Sequence, residues 1–259
     1  RKNPNIAYGT AVIGVMMLLT VLAPVMNTVP PNTISPWERF QAPSSSSWFG
    51  TDHLGRDVYS RTIYGTRISI LVGLACGLIS IIAGAVIGLI AGYYRKLDGI
   101  LMRLMDGLMA IPTILLAMAM MALLGGSVQN VIIAISVTQT PIAARVLRSA
   151  VMSVREQTYV DAARALGAST VRILGLHVLP NTVAPLIVQA TFIAAAAVLI
   201  EAYLSFLGAG TPIDQTSWGQ IMAEAQLYLS RAEWVMVFPG VFLTLTVLGI
   251  SLAGDGLRD

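Results

Sequence analysis

Long apolar runs alternate with short polar stretches along the whole chain. A hydrocarbon core about 30 Å thick takes about 20 apolar residues per helix at about 1.5 Å each. That ruler marks six runs: Tyr8 to Met26, Ile68 to Tyr94, Leu104 to Leu124, Val128 to Ala144, Val183 to Leu207 and Val235 to Ala253. The pattern predicts an all-α membrane protein with six transmembrane helices. The fourth run carries Ser136, Thr138, Gln139, Thr140 and Pro141 in its second half. Lipid leaves such groups unsatisfied, so this helix is expected to face a protein interior. Pro112, Pro141 and Pro239 are expected to interrupt their helices. In the second run Gly73, Gly77, Gly84, Gly88 and Gly92 fall within about 100° of arc at 100° per residue. They predict a small-residue seam against which another helix packs closely, rather than a ligand site.

Composition agrees: 56% of the 259 residues are hydrophobic and 11% charged, against about 25% charged in a soluble domain. The sixteen cations are unevenly spread. With the N-terminus inside, eleven fall on inner segments (Arg1, Lys2, Arg95, Lys96, Arg103, Arg145, Arg148, Arg155, Arg164, Arg172, Arg258) and five on outer ones (Arg39, Arg56, Arg61, Arg67, Arg231). The bias predicts both termini in the cytoplasm. A rival assignment makes the first run a cleaved signal peptide, leaving five spans and an external N-terminus, but the run is long against a signal core of about 7–15 residues.

Three parts follow from this layout: a first helix with an external segment (1–67), a five-helix core (68–253) and a short inner end (254–259). The external segment has Pro30, Pro31, Pro36, Pro43 and the serine run 44–47, an extended linker, before the better-formed WFGTDHLGRDVYSR. A second external loop, 208–234, holds Trp218, Tyr228 and Trp234, suited to the lipid interface or to a partner. The longest inner stretch, 149–181, reads as two short helices. Thr158 and Asp161 have capping-box spacing, Tyr159 to Leu166 is helix-forming, and Gly167 falls where a left-handed cap ends it. Ser169 caps a second helix, Thr170 to Leu179, that stops before Pro180. Ala162, Ala163 and Ala165 give a small face suited to another protein's groove; an amphipathic helix on the membrane surface accounts for the same residues equally well.

Glu201 is the main acid inside a span, about 9 Å from its outer end at 1.5 Å per residue, placed for helix pairing or for lining a path. Arg103 and Asp106 are spaced for a local ion pair. Catalytic and metal constellations have little to draw on. The chain has one cysteine, Cys76, and its two histidines, His53 and His177, fall on opposite sides of the membrane. It has no G-x-S-x-G elbow and no G-x-x-x-x-G-K-[ST] phosphate loop, so ATP hydrolysis belongs to another subunit. Without a basic stripe interleaved with aromatics, nucleic acid is not an expected partner.

Asp161-Ala162-Ala163, Gly167 after three more residues, and Leu179-Pro180 resemble the EAA loop of the membrane subunits of ATP-binding-cassette importers, with Asp in place of Glu. FGTDHLGRDVYSR at 49–61, SFLGAG at 205–210, SWG at 217–219 and GDGLRD at 254–259 are similar to the C-type permease subunits of the dipeptide, oligopeptide and nickel importers. The resemblance implies a type I importer transmembrane fold in a bacterial inner membrane. It implies that Tyr159, Asp161, Ala162, Ala163, Gly167, Leu179 and Pro180 engage one or two ATPase subunits, which bind the ATP and magnesium, the chain itself binding no cofactor. A second related permease and an external substrate-binding protein are the other implied partners, with di- or oligopeptides or a related small solute as cargo. The competing reading is an ATP-independent secondary transporter or channel, for which few intraspan charges are present beyond Glu201.

Overall fold

The computed structural model describes residues 4–26, 28–212 and 214–258; Arg1 and Lys2 of the charge count, Asn27 at the start of the first external segment and Asp259 of the last motif lie outside them. The helices are α1 (Pro4–Leu22), α2 (Val58–Tyr93), α3 (Arg95–Met109), α4 (Thr113–Leu124), α5 (Val128–Arg155), α6 (Thr158–Ala165), α7 (Thr170–Ile173), α8 (Leu179–Phe206), α9 (Trp218–Ala225) and α10 (Trp234–Arg258). Among the described residues, five helical stretches are long and apolar enough to cross a membrane, α7 and α8 running together as Thr170–Phe206.

The sixth expected span is not a straight helix. It is the pair α3 and α4, bent by 86°. Pro112 at the break has extended backbone, φ −52° and ψ 130°, and offers no amide to carry the helix through. Pro141 and Pro239, expected to act likewise, sit inside continuous helices. Five residues before Pro141, Ser136 O accepts from Thr140 Oγ1 at 2.7 Å and from Ser80 Oγ of α2 at 3.3 Å, which ties α5 to α2. Ser136, Thr138, Gln139 and Thr140 are all buried, as their polarity required.

The second helix starts ten residues before its apolar run, because Asp57 caps it by accepting from Ser60 N at 2.8 Å. The boundary drawn at 67/68 therefore falls inside α2, and residues 254–258 are the last turns of α10 rather than a separate end. α2 is the hub, and its glycine seam serves two neighbours. A Cβ on Gly73 would stand 2.6 Å from Val198 Cγ2, and one on Gly77 3.2 Å from Ala190 O, both on α8. Further along, Gly84, Gly88 and Gly92 face α5, with Ala144 N, Ala144 O and Val151 Cβ at 2.8, 2.6 and 2.7 Å from the same construction. α1 packs chiefly on α10: at Gly9 a Cβ would lie 2.7 Å from Gly249 O, and at Gly249 the same distance from Val12 Cγ1.

At the end where α2 begins, residues 28–57 fold back rather than run as a linker. Ser35 N donates to Leu54 O at 3.2 Å and Phe40 N to Asp52 O at 3.1 Å. The aromatic residues of 208–234 have partners inside the protein. Trp218 is fully buried with Nε1 on Thr62 O at 3.0 Å, Trp234 Nε1 reaches Thr51 O at 3.1 Å, and Tyr228 stacks on His53. Each indole has a backbone carbonyl inside the protein, which removes the reason to seek the headgroup layer.

Candidate coupling site

At the opposite end, α5 runs on to Arg155, so the inner stretch shortens to the turn, α6 and α7. Gln157 rather than Thr158 is the cap position, and no side chain caps α6 there. Asp161 is thereby free of the expected capping box and takes Arg164 Nη1 at 3.0 Å. An eight-residue helix does not stand alone; α6 is held by Val160, fully buried against Leu147, Val151, Ile173 and Val178. The base under it is firm, since Arg155 Nη1 donates to Gly92 O at 2.7 Å and locks the end of α5 on the end of α2.

The C-terminus of α6 is a Schellman cap. Gly167 has φ +78°, its amide donates to Arg164 O at 2.9 Å, and Ala168 N donates to Ala163 O at 3.0 Å. Ala163 and Ala168 pack into the same apolar cluster as Val160, while Ala162 and Tyr159 are on the exposed side. Ser169 occupies the cap position of α7 without a side-chain bond. The second helix does not stop at Pro180. A π turn, Leu174–Val178, joins α7 to α8, with Leu179 N on Leu174 O. Pro180 has no amide and its ring crowds the carbonyl one turn back; the widened turn before it accommodates both. Leu179 and Pro180 are thus the first turn of α8, not a terminus. Reasoning from spacing missed Leu166, Val171 and Leu176, whose side chains stand out at 88%, 81% and 62% exposure beside α6. Their only signal is apolar character inside a polar loop.

Elsewhere, Glu201 is fully buried and bonded by Ser69 Oγ of α2 at 3.2 Å and Ser205 Oγ at 2.8 Å. Asp106 pairs with Arg145 at 2.7 Å rather than with Arg103. Near the start of α2, Asp52, Arg56, Arg61 and Glu224 form one cluster. Arg61 Nη1 reaches Asp52 Oδ2 and Glu224 Oε2, each at 2.8 Å, Arg56 Nε reaches Asp52 at 2.6 Å, and Arg56 Nη2 bonds Glu224. Burial pushes the Asp52 carboxyl up, but Arg61, Arg56 and two backbone amides hold it below its ordinary value of 3.8. Burial also lowers the His53 imidazole, although Asp52 pulls it upward. Asp52, His53 and Glu224 have the grouping of a cation site, yet the two carboxylates already accept from Arg56 and Arg61.

Among the described residues, five to six helical stretches long and apolar enough to cross a bilayer make the chain a multi-span membrane protein. Residues 84–259 match the binding-protein-dependent transport system inner membrane component, and the chain belongs to that family. It is 47% identical over 258 residues to a putative peptide transport system permease protein of Brucella abortus, covering 100% of this chain and 87% of that protein. The dipeptide transport system permease protein DppC of Alkalihalophilus pseudofirmus is 41% identical, with 100% and 86% covered. For the oligopeptide transport system permease protein OppC of Bacillus subtilis the figures are 35%, 100% and 85%. An inward-facing structure of the MetNI methionine ABC transporter shares the fold, with TM-score 0.66 and 23% identity over 76% of this chain and 95% of that one. The chain is a multi-pass inner-membrane permease subunit of a binding-protein-dependent ABC importer.

Proposed function

We propose that this permease forms half of a path for di- or oligopeptides and is moved at α6 by a separate ATPase. The observation that carries the proposal is the protrusion itself: a short capped helix rimmed by exposed Leu166, Val171 and Leu176, standing on a base packed into α2, α5 and α8. Exposed apolar side chains next to a fixed helix are the pattern of a partner's docking surface. Tyr159, Asp161, Ala162 and Gly167 face that partner, Ala163 packs beneath α6 against the bundle and holds them in place, and Leu179 and Pro180 set the line of α8 leaving it. Because α6 is rigid against the bundle, displacement of α6 becomes displacement of the spans. The chain is non-catalytic; ATP and magnesium bind in the ATPase, and a second related permease completes the path. An external substrate-binding protein seats on residues 28–57 and 208–234. Peptide cargo follows from relatives of 35% to 47% identity named for peptide transport. Glu201 is a helix-pairing residue, supported by its bonds to Ser69 and Ser205.

Purification of the tagged chain from native membranes in mild detergent is expected to recover an ATPase and a second permease, read by mass spectrometry. Recovery alone or as a homo-oligomer across several detergents overturns this assignment of a separate ATPase and a distinct second permease as partners. Both termini and α6 are placed in the cytoplasm. In a Cys76→Ala background, Thr158→Cys should react with an impermeant maleimide only from the cytoplasmic side. Leu227→Cys, at a position 81% exposed, should react only from outside, and the reverse pattern sinks this orientation.

A further inference from the structure

The helix α3, RKLDGILMRLMDGLM, has three sectors. One faces the bundle: Met105 is buried and Asp98 receives Arg148 Nε and, at 2.6 Å, Arg148 Nη2, whereas Asp106 lies on the side of Arg95 and Arg103 and receives Arg145 at 2.7 Å. Both acids of the helix are thereby matched by α5. The side chains of its cations, Arg95, Lys96 and Arg103, have no ion-pair or hydrogen-bond partner among the described residues. At 100° per residue these three occupy about 100° of arc, and Ile100, Leu104 and Leu97 the next 60° or about that. Ile100 and Leu104 are 63% and 60% exposed.

Arg95, Lys96, Gly99, Ile100, Arg103 and Leu104 line one recess of about 400 Å³. Nothing lies within 4 Å of where a Cβ on Gly99 would stand, so the absent side chain keeps this recess open. The 86° bend sets α3 nearly at right angles to α4, the attitude that an in-plane amphipathic helix takes beside a crossing one. A row of unmatched cations beside a row of exposed aliphatic side chains complements one molecule with an anionic head and a hydrocarbon tail.

We propose that α3 is an in-plane site for an anionic phospholipid, whose phosphate lies against Arg95, Lys96 and Arg103 and whose acyl chain covers Ile100 and Leu104. The site depends on the inner-membrane placement of the family and not on the orientation proposed above; Arg95 also borders a recess beside Asp161 and Arg164 of α6, so the test reads bound lipid and not transport. It leaves the role of α6 and that orientation standing whatever the outcome.

The purified complex is equilibrated with phosphatidylglycerol and phosphatidylcholine in detergent, and bound lipid is read by native mass spectrometry. The wild type should retain phosphatidylglycerol in preference, and retention should fall about five-fold for each cation removed in the series Arg103→Gln, Lys96→Gln, Arg95→Gln. Arg95→Lys with Arg103→Lys should retain it, as should Arg172→Gln outside the site. Equal retention of the two lipids, or equal losses in the series and in Arg172→Gln, overturns the proposal. Millimolar inorganic phosphate should not displace the lipid; displacement makes the recess a free-anion site and overturns it too. A spin label on Ile100→Cys in liposomes should meet oxygen dissolved in lipid but not a water-soluble nickel chelate. Shielding from both reagents means that a protein partner covers α3, and the lipid assignment fails.

Discussion

Gly167→Val is expected to cut substrate transport by the assembled importer at least about tenfold, the factor that 1.4 kcal/mol of misplacement at the coupling surface produces. The chain should remain in the membrane at its normal level. Gly167 has φ +78° and ends α6 through its bond to Arg164 O and that of Ala168 to Ala163 O. Left-handed backbone costs an L-residue about 1–2 kcal/mol, and a β-branched one more. Nothing in the chain lies within 4 Å of the added Cβ, so the strain is conformational and local. It falls on a helix of eight residues with no side-chain cap at its other end, which unwinds its last turn and turns Leu166 away from the partner. Val160 stays anchored in the bundle, so folding survives. Gly167→Asn should be nearly silent because Asn tolerates the left-handed region, and Gly167→Ala intermediate. Uptake and substrate-stimulated ATP hydrolysis by the reconstituted complex read the series. Full activity of the Val variant would refute α6 as the lever.

Arg61→Met should lower the thermal midpoint of the detergent-solubilised chain by roughly 5–10 °C, as a loss of about 2–3 kcal/mol does in a protein of this size. Arg61 is fully buried, and its Nη1 is shared between Asp52 and Glu224, while Nε and Nη2 find no acceptor. Removing it leaves two carboxylates to Arg56 alone, and the cost arises from that uncompensated charge rather than from the lost bond. Arg61→Met combined with Glu224→Met should therefore be less damaging than Arg61→Met alone, a non-additivity that a double-mutant cycle measures. The acid response has a defined sign. Asp52 has a folded value below 3.8, so its contribution is complete above that pH and is lost only as pH falls through the lower folded value. The wild type should hold its midpoint between pH 7 and 5, and a fall across that window would exclude Asp52 as its cause.

Reading along the chain captured what periodicity encodes: the apolar runs, the glycine seam of α2, the interior-facing half of α5 and the glycine that ends α6. It missed features decided by what packs where. Pro112 and Pro141 look alike in a sequence, yet only the first breaks a helix, the second lying inside the long buried helix α5 packed along α2. Trp218 and Trp234 read as interface residues until Thr62 and Thr51 are brought beneath them from more than 150 positions away. The Arg61–Glu224 pair spans 163 residues, and no local pattern announces it. In the candidate coupling site, the turn around Gly167 was legible because its signal is local. The continuity of α7 into α8 was not, since a proline ordinarily marks an end and only the π turn shows otherwise.

The reciprocal notches of α1 and α10 bear on biogenesis. α1 buries only Gly9 and Met16 within itself and its neighbours, and its main partner begins at Trp234. The helix that leaves the ribosome early must therefore wait in the bilayer while the intervening helices are synthesised and inserted. Lipid makes the wait harmless, because so apolar a segment loses nothing by remaining surrounded by acyl chains. Final docking then depends on shape, glycine against backbone, and not on the expulsion of water. Bulky substitutions at Gly9 or Gly249 would accordingly leave insertion intact and act on assembly, as a late defect of the finished membrane protein.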